Sequence, residues 1–223
     1  MDSELIEAIS RHIEKHVGPV GDVLHELIPT SDLHVDLHIV PPTDKRPFYT
    51  LVTSGMSEQA MTVPEELEGQ VTPYVELMLC LPPDWKVDAT ADPRWNWPLK
   101  WLWFLARYPH QYDAFLYVSH TIPNSEDCDP FCPGTEQCCW FVRIPQTVPE
   151  AFTALQYEDR EIGFLALTAI YQSEMEFALS NDTDTLYALD QALAEAGVTE
   201  LVQPDRPELT LEKLRRHMGQ LPE

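Results

Sequence analysis

Basic residues are scarce in this sequence: 14 Lys and Arg stand against 37 Asp and Glu in 223 residues, a formal charge of −23. Phosphate backbones are bound by clustered Lys and Arg, so this balance argues against nucleic acid as a partner and favours a basic one, or simple solubility. Glycine is rare as well, with 8 residues against 20 prolines. That ratio implies rigid turns and edge strands, not flexible linkers. Apolar runs reach only about ten residues, far short of a bilayer span, and no charged-then-apolar leader opens the chain. Phosphate-cradling loops, dinucleotide fingerprints and a His-Glu-x-x-His helix are all missing. These absences point away from catalysis, and no cofactor is expected.

With 44% hydrophobic residues the chain can still bury a self-supporting core. Leu5, Ile6, Ile9, Ile13 and Val17 predict a helix over Ser3–Val17, with Ser3 as N-cap. Leu33–Val40 alternates strictly and predicts a half-buried strand. Phe48–Thr53, Tyr74–Leu81, Ala114–Val118, Cys138–Ile144 and the nearly all-apolar Ile162–Tyr171 predict further strands. An aromatic-rich helix is expected from an Asn96 cap, with Pro98 in its first turn and an end at Tyr108-Pro109. Ser173–Leu179, Thr183–Ala196 and Leu211–Met218 complete the helices, Gly197 closing the second. Strands and helices do not alternate regularly, so the expected class is α+β in one domain, residues 1–223.

Four groups of residues invite chemistry. His34-x-Asp36-x-His38 lies on one strand face, but residues two apart on a strand are separated by about 6.6 Å and residues four apart by about 13 Å. One metal could take Asp36 with one neighbouring His, and a fuller site would recruit His110 or His120, the basis of a metal-dependent hydrolase as the alternative function. The commoner role of such a face is a hydrogen-bonded polar surface. Thr53-Ser54-Gly55-Met56-Ser57 lacks the spacing of a nucleophile elbow, and Gly55 suits a turn of positive φ. Cys128, Cys132, Cys138 and Cys139 crowd together out of five cysteines. The odd count argues against a secreted disulfide framework and for the cytoplasm, and the cluster is read first as a loop entering a buried strand, with metal or redox chemistry second. Five Trp residues lie between Trp85 and Trp103. Most belong in the core, yet one helix cannot turn every ring inward, so some are expected at an interaction surface or a homodimer contact.

Several blocks together resemble the suppressor-of-fused domain family, particularly its bacterial branch. They are Pro41-Pro42-Thr43 with Phe48–Ser57, Glu76-Leu77-Met78, Leu81-Pro82-Pro83-Asp84-Trp85, Trp97-Pro98, Leu105–His110, His120–Asn124 and Glu174-Met175. The resemblance covers roughly residues 20–190 and implies a mixed sheet flanked by helices. Eukaryotic members are non-enzymatic inhibitors that clamp a transcription factor, holding a peptide of it as an added strand. They carry a second domain for which 223 residues leave no room. Bacterial members resemble immunity proteins paired with toxins. The resemblance places Tyr108 at a partner-peptide site, flanked by His110 and His120. The acidic residue of the eukaryotic branch falls near Ser119 or His120, a departure in peptide chemistry. The expectation is a cytoplasmic, non-enzymatic protein that sequesters a protein partner, such as a basic toxin domain, with no membrane and no nucleic acid.

Overall fold

The computed structural model describes residues 2–25, 33–89, 91–180 and 183–218. The chain begins with helix α1 (Ser3–His16), followed by strands β1 (Asp22–Leu24), β2 (Asp36–Val40), β3 (Tyr49–Ser54) and β4 (Val75–Leu81). Helix α2 (Pro93–Gln111) leads to β5 (Thr121–Pro123), β6 (Gln137–Arg143), β7 (Ala154–Tyr157) and β8 (Arg160–Tyr171). Helices α3 (Gln172–Leu179), α4 (Thr183–Glu195) and α5 (Leu211–Arg215) follow.

The strands form one sheet in the order β1-β2-β3-β4-β8-β6-β5, with β7 also paired to β8. Only the β4–β8 pairing is parallel among these. The apolar run of β8 is therefore central, as expected. Odd-numbered residues of β8, such as Leu165 and Leu167, pack with Leu37, Leu77 and Trp140 under α2. Even-numbered ones face the other way: Phe164 and Ala166 meet Leu5, Ile9 and Ile13 of α1, and Ile170 meets α3 to α5. The result is an α+β sandwich with helices on both faces of a mixed sheet.

Helices on both faces correct the reading of the second strand. All five residues of β2 are buried, including Asp36 and His38, so its polar side is enclosed instead of solvated. Two caps also move. Asp2, not Ser3, caps α1 by accepting the Glu4 and Leu5 N–H groups. Asp92, not Asn96, caps α2, accepting the Arg94 N–H. Pro98 and Pro109 thus lie inside α2; each withholds one rung of the ladder, while burial of Trp97, Leu102 and Leu105 holds the helix together. Residues 114–118 form no strand. That segment connects α2 to β5 through two non-glycine residues of positive φ, Asp113 (48°) and Ser119 (68°). Strands β1, β5 and β7, of three or four residues each, went unread in the sequence.

Three buried carboxylates tie loops to this framework. Glu76, on β4, is fully buried; its Oε1 accepts the Gly55 and Ser57 N–H groups at 3.0 Å each and the Ser57 hydroxyl at 2.6 Å. Its Oε2 accepts the Thr53 hydroxyl at 2.6 Å. Burial pushes the Glu76 carboxyl above its ordinary range, and those four donors oppose the shift. Gly55 has φ +106°, and a Cβ there would stand 2.1 Å from the His34 carbonyl oxygen, so only glycine fits. Glu174 binds the Arg206 guanidinium and the N–H groups of Tyr171 and Leu209. Glu200 receives the Gln146 and Thr147 N–H groups and the Thr147 hydroxyl.

The cysteine loop holds a disulfide between Cys128 and Cys138, with Cα atoms 5.4 Å apart, while Cys80, Cys132 and Cys139 are free and buried. Among the described residues, the cysteines contribute to no metal-ligand group.

Glu76→Ala strands four buried donors and is expected to cost about 3–5 kcal/mol. Trp85→Ala, which removes a buried ring whose Nε1 donates to the Trp95 carbonyl at 2.8 Å, is expected to cost a similar 3–5 kcal/mol, roughly. Each lowers the thermal midpoint by roughly 10 °C, measured by calorimetry. Thiol counting on unfolded, unreduced protein should find the three thiols of Cys80, Cys132 and Cys139, rising to all five cysteines after reduction.

Candidate functional site

The outer face of α2 carries a ladder of rings spaced three or four residues apart, so that they stack along one stripe. Trp101 and Phe104 lie 5.1 Å apart between centroids, Phe104 and Tyr108 5.9 Å, and Tyr108 and Tyr112 5.0 Å. Phe104 is 41% and Tyr112 61% exposed. The inner rings of the same Trp-rich segment, Trp85 and Trp97, are buried, and Trp103 donates its Nε1–H to the Val35 carbonyl. Trp95, Trp101 and Trp103 are half-buried against the same core, so the exposed rings of the stripe are Phe104 and Tyr112 and not the tryptophans.

Beside the stripe runs β5, the last strand on its side of the sheet. Its inner ladder uses His120, whose carbonyl accepts the Val142 N–H, and Asn124, whose N–H donates to the Cys138 carbonyl. Alternate residues of a strand point their main-chain groups to opposite sides. The Thr121 N–H and carbonyl, and the Pro123 carbonyl, consequently face away from β6. Pro123 has no N–H to leave unpaired, which suits an edge.

Between stripe and edge lies a groove of about 640 Å³, lined by Tyr108, Asp113, Phe115, Ser119, His120, Thr121, Ile122, Leu179 and Leu186 among others. The two left-handed residues of the α2–β5 connection, Asp113 and Ser119, both stand in its wall. Backbone of that kind is stored where surrounding structure enforces it, often at binding sites. His120 packs edge-on against Phe115 at 5.0 Å, and burial pushes its imidazole below its usual value against the bond to the Phe115 carbonyl. Immediately after β5, Glu126, Asp127 and Asp129 are exposed. The groove can therefore seat apolar side chains, and the chain that leaves β5 is acidic. Leu179, 64% exposed on its rim, adds apolar surface.

Of the residues singled out in the sequence, Tyr108 and His120 come together in this groove. His110 does not line it. Its Nε2–H donates to the Met56 carbonyl at 3.1 Å, and burial lowers its affinity for a second proton. Asp36 Oδ1 lies 2.8 Å from His34 Nε2, while His38 instead bonds the Ser54 hydroxyl at 2.9 Å. The third ligand-type group near Asp36 is His25, whose Nδ1 stands 3.1 Å from the same oxygen. Neither His110 nor His120 belongs to this cluster, so the histidines expected to complete a hydrolase site lie elsewhere. His25 was missed because eleven residues and a strand pairing separate it from Asp36. No spacing rule links them. The groove's Leu179 and Leu186 were missed because they lie on α3 and α4, far along the chain from Tyr108 and His120.

Known proteins share this architecture. No curated protein sequence matches the chain. A SUFU homologue from Neisseria gonorrhoeae FA 1090 superposes with a TM-score of 0.64 at 16% identity, covering 92% of this chain and 96% of that one. A chain of the Sufu-Fu complex superposes with a TM-score of 0.63 at 14% identity, covering 99% and 97%. Drosophila Suppressor of Fused gives 0.55 at 14% identity, covering 87% of this chain and 49% of that one. At such identities these likenesses speak for the fold alone. The sequence profile described as Suppressor of fused protein (SUFU) matches residues 31–207. Spanning most of the chain and agreeing with the fold and its loop-tying blocks, that match establishes that the chain belongs to the suppressor of fused family.

Proposed function

We propose that the protein is a non-enzymatic binding module that takes an extended segment of a basic protein partner as an added strand on the free edge of β5. One observation carries this reading: main-chain groups at Thr121 and Pro123, without a hydrogen-bond partner among the described residues, stand beside an aromatic-lined groove containing Tyr108 and His120. In strand addition, main-chain hydrogen bonds supply affinity, and pockets for alternate side chains supply choice. Family membership and the solved Sufu-Fu complex, in which a related fold is found with a partner, support the same reading.

The groove and the neighbouring charges define the segment's chemistry. Apolar side chains suit the rings of Tyr108 and Phe115, and Lys or Arg suits the Glu126-Asp127-x-Asp129 loop. A net charge of −23 steers such a segment towards the surface from a distance. The finer role we attach to this is neutralisation of a basic toxin domain, in keeping with the bacterial branch that the sequence resembles.

Selection from a displayed library of random linear peptides tests the reading without a known partner. Selected peptides should combine apolar and basic residues, and binding should slow exchange of the Thr121 amide. Thr121→Pro, which deletes the edge donor, should weaken binding roughly 3–10-fold. Tyr108→Ala should weaken it about 30-fold while the thermal midpoint falls by only a few degrees. Affinity should drop as salt is raised. Peptides that bind equally to both variants, or that leave the Thr121 amide unprotected, would sink strand addition at this edge.

A further inference from the structure

At the opposite margin of the sheet, three metal-binding side chains converge from separate stretches of chain. His25 follows edge strand β1, His34 precedes β2, and Asp36 opens it. One ligand atom from each lies within 4.8 Å of the other two. Asp36 is 3% exposed, and among the described residues its ion-pair partners are these two imidazoles, at 2.8 and 3.1 Å. A carboxylate buried so deeply normally has a Lys, an Arg or a metal ion beside it. Neither Lys nor Arg stands there among the described residues.

Two imidazole nitrogens and one carboxylate oxygen are a borderline donor set. Zinc takes such sets in tetrahedral sites that keep a fourth position for water, and ferrous iron takes them too, whereas calcium and magnesium prefer oxygen alone. Zinc bonds of about 2.0–2.1 Å at tetrahedral angles place ligand atoms about 3.3 Å apart. The observed contacts of 2.8 and 3.1 Å fall just inside that spacing. An ion between them requires the groups to part by a few tenths of an ångström. The His25 side chain, 66% exposed at a strand end, is free to make that adjustment and leaves an entry path from solvent. Deeper on the same strand face, His38 bonds the Ser54 hydroxyl through Nε2, and its buried Nδ1 has no hydrogen-bond partner among the described residues. Among the described residues, the polar face behind the cluster is thus not fully satisfied.

We propose that His25, His34 and Asp36 form a site for a divalent transition metal of the zinc class, which fastens edge strand β1 to β2. The ion cross-links two stretches of chain that, among the described residues, the sheet joins through three paired residues of β1 and the Gly21 N–H bond to the Ile39 carbonyl. It binds the folded chain in preference to the unfolded one, and so raises stability by mass action.

The test uses the full chain stripped of metal with a chelator and titrated with zinc chloride. Calorimetric titration should show one zinc per chain, and the thermal midpoint should rise by roughly 5–10 °C at a hundredfold excess over the dissociation constant. Magnesium should give no rise. Cobalt(II) in the same site should show the intense visible bands of a four-coordinate ion. His25→Ala alters an exposed side chain, so it should fold normally yet lose the bound zinc, the midpoint rise and the cobalt bands. His217→Ala, remote from the cluster and paired with Glu195, should keep all three. Absence of stoichiometric zinc in the parent chain overturns the proposal, and so does a His25→Ala variant that binds zinc as tightly as the parent.

Discussion

A single buried carboxylate organises more of this molecule than its size suggests. Glu76 sits on a central strand, where a charge or a bare acid is costly unless every oxygen is satisfied. Thr53, Gly55 and Ser57 satisfy it, which obliges the chain leaving β3 to turn back over the end of β4. The turn so held offers the Met56 carbonyl to His110, and the segment beyond it offers the Met61 sulfur to the Leu116 N–H. The last turns of α2 and the connection to β5 are thereby positioned. The ring stripe and the groove stand where they do because a loop on the far side of α2 is tied to one acid.

The same logic explains why certain blocks resemble a family when no single block carries a catalytic pattern. Thr53–Ser57 and Glu76 are two halves of one knot, and Glu174 is the acid of another, closed by Arg206. Such residues are constrained by desolvation and geometry. Change one partner and a buried donor or acceptor is orphaned. A motif of this kind marks architecture, and the surface chemistry around it is free to vary.

The architecture was legible where one physical signal dominated. The long apolar runs at β4, β6 and β8 could only be strands of an interior sheet, and the periodicity of Leu5, Ile9 and Ile13 could only be a helix face. The start of α2 was misplaced because Pro98 suits a first turn, yet burial of nine helix residues outweighs the loss of one rung. Strict alternation in Leu33–Val40 signalled a half-wet strand, but α1 and its neighbours close the second face, so Asp36 is enclosed against His34 and His25, and His38 against Ser54. Strands β1, β5 and β7 are too short to show a period. Tyr108 and His120 were identifiable through resemblance, whereas His25 owes its place to a pairing across β1 and β2 that leaves no trace in spacing. The Cys128–Cys138 bond was obscured by an odd count: three free, buried thiols stand in the same chain.

Pro123 has a consequence beyond tolerance of its position. A bare strand margin is a template on which any compatible chain, including another copy of the same protein, can grow without limit. Here the margin is three residues long and forfeits a donor at its end. So short a margin, lacking that donor, is a poor template for a ladder running from molecule to molecule.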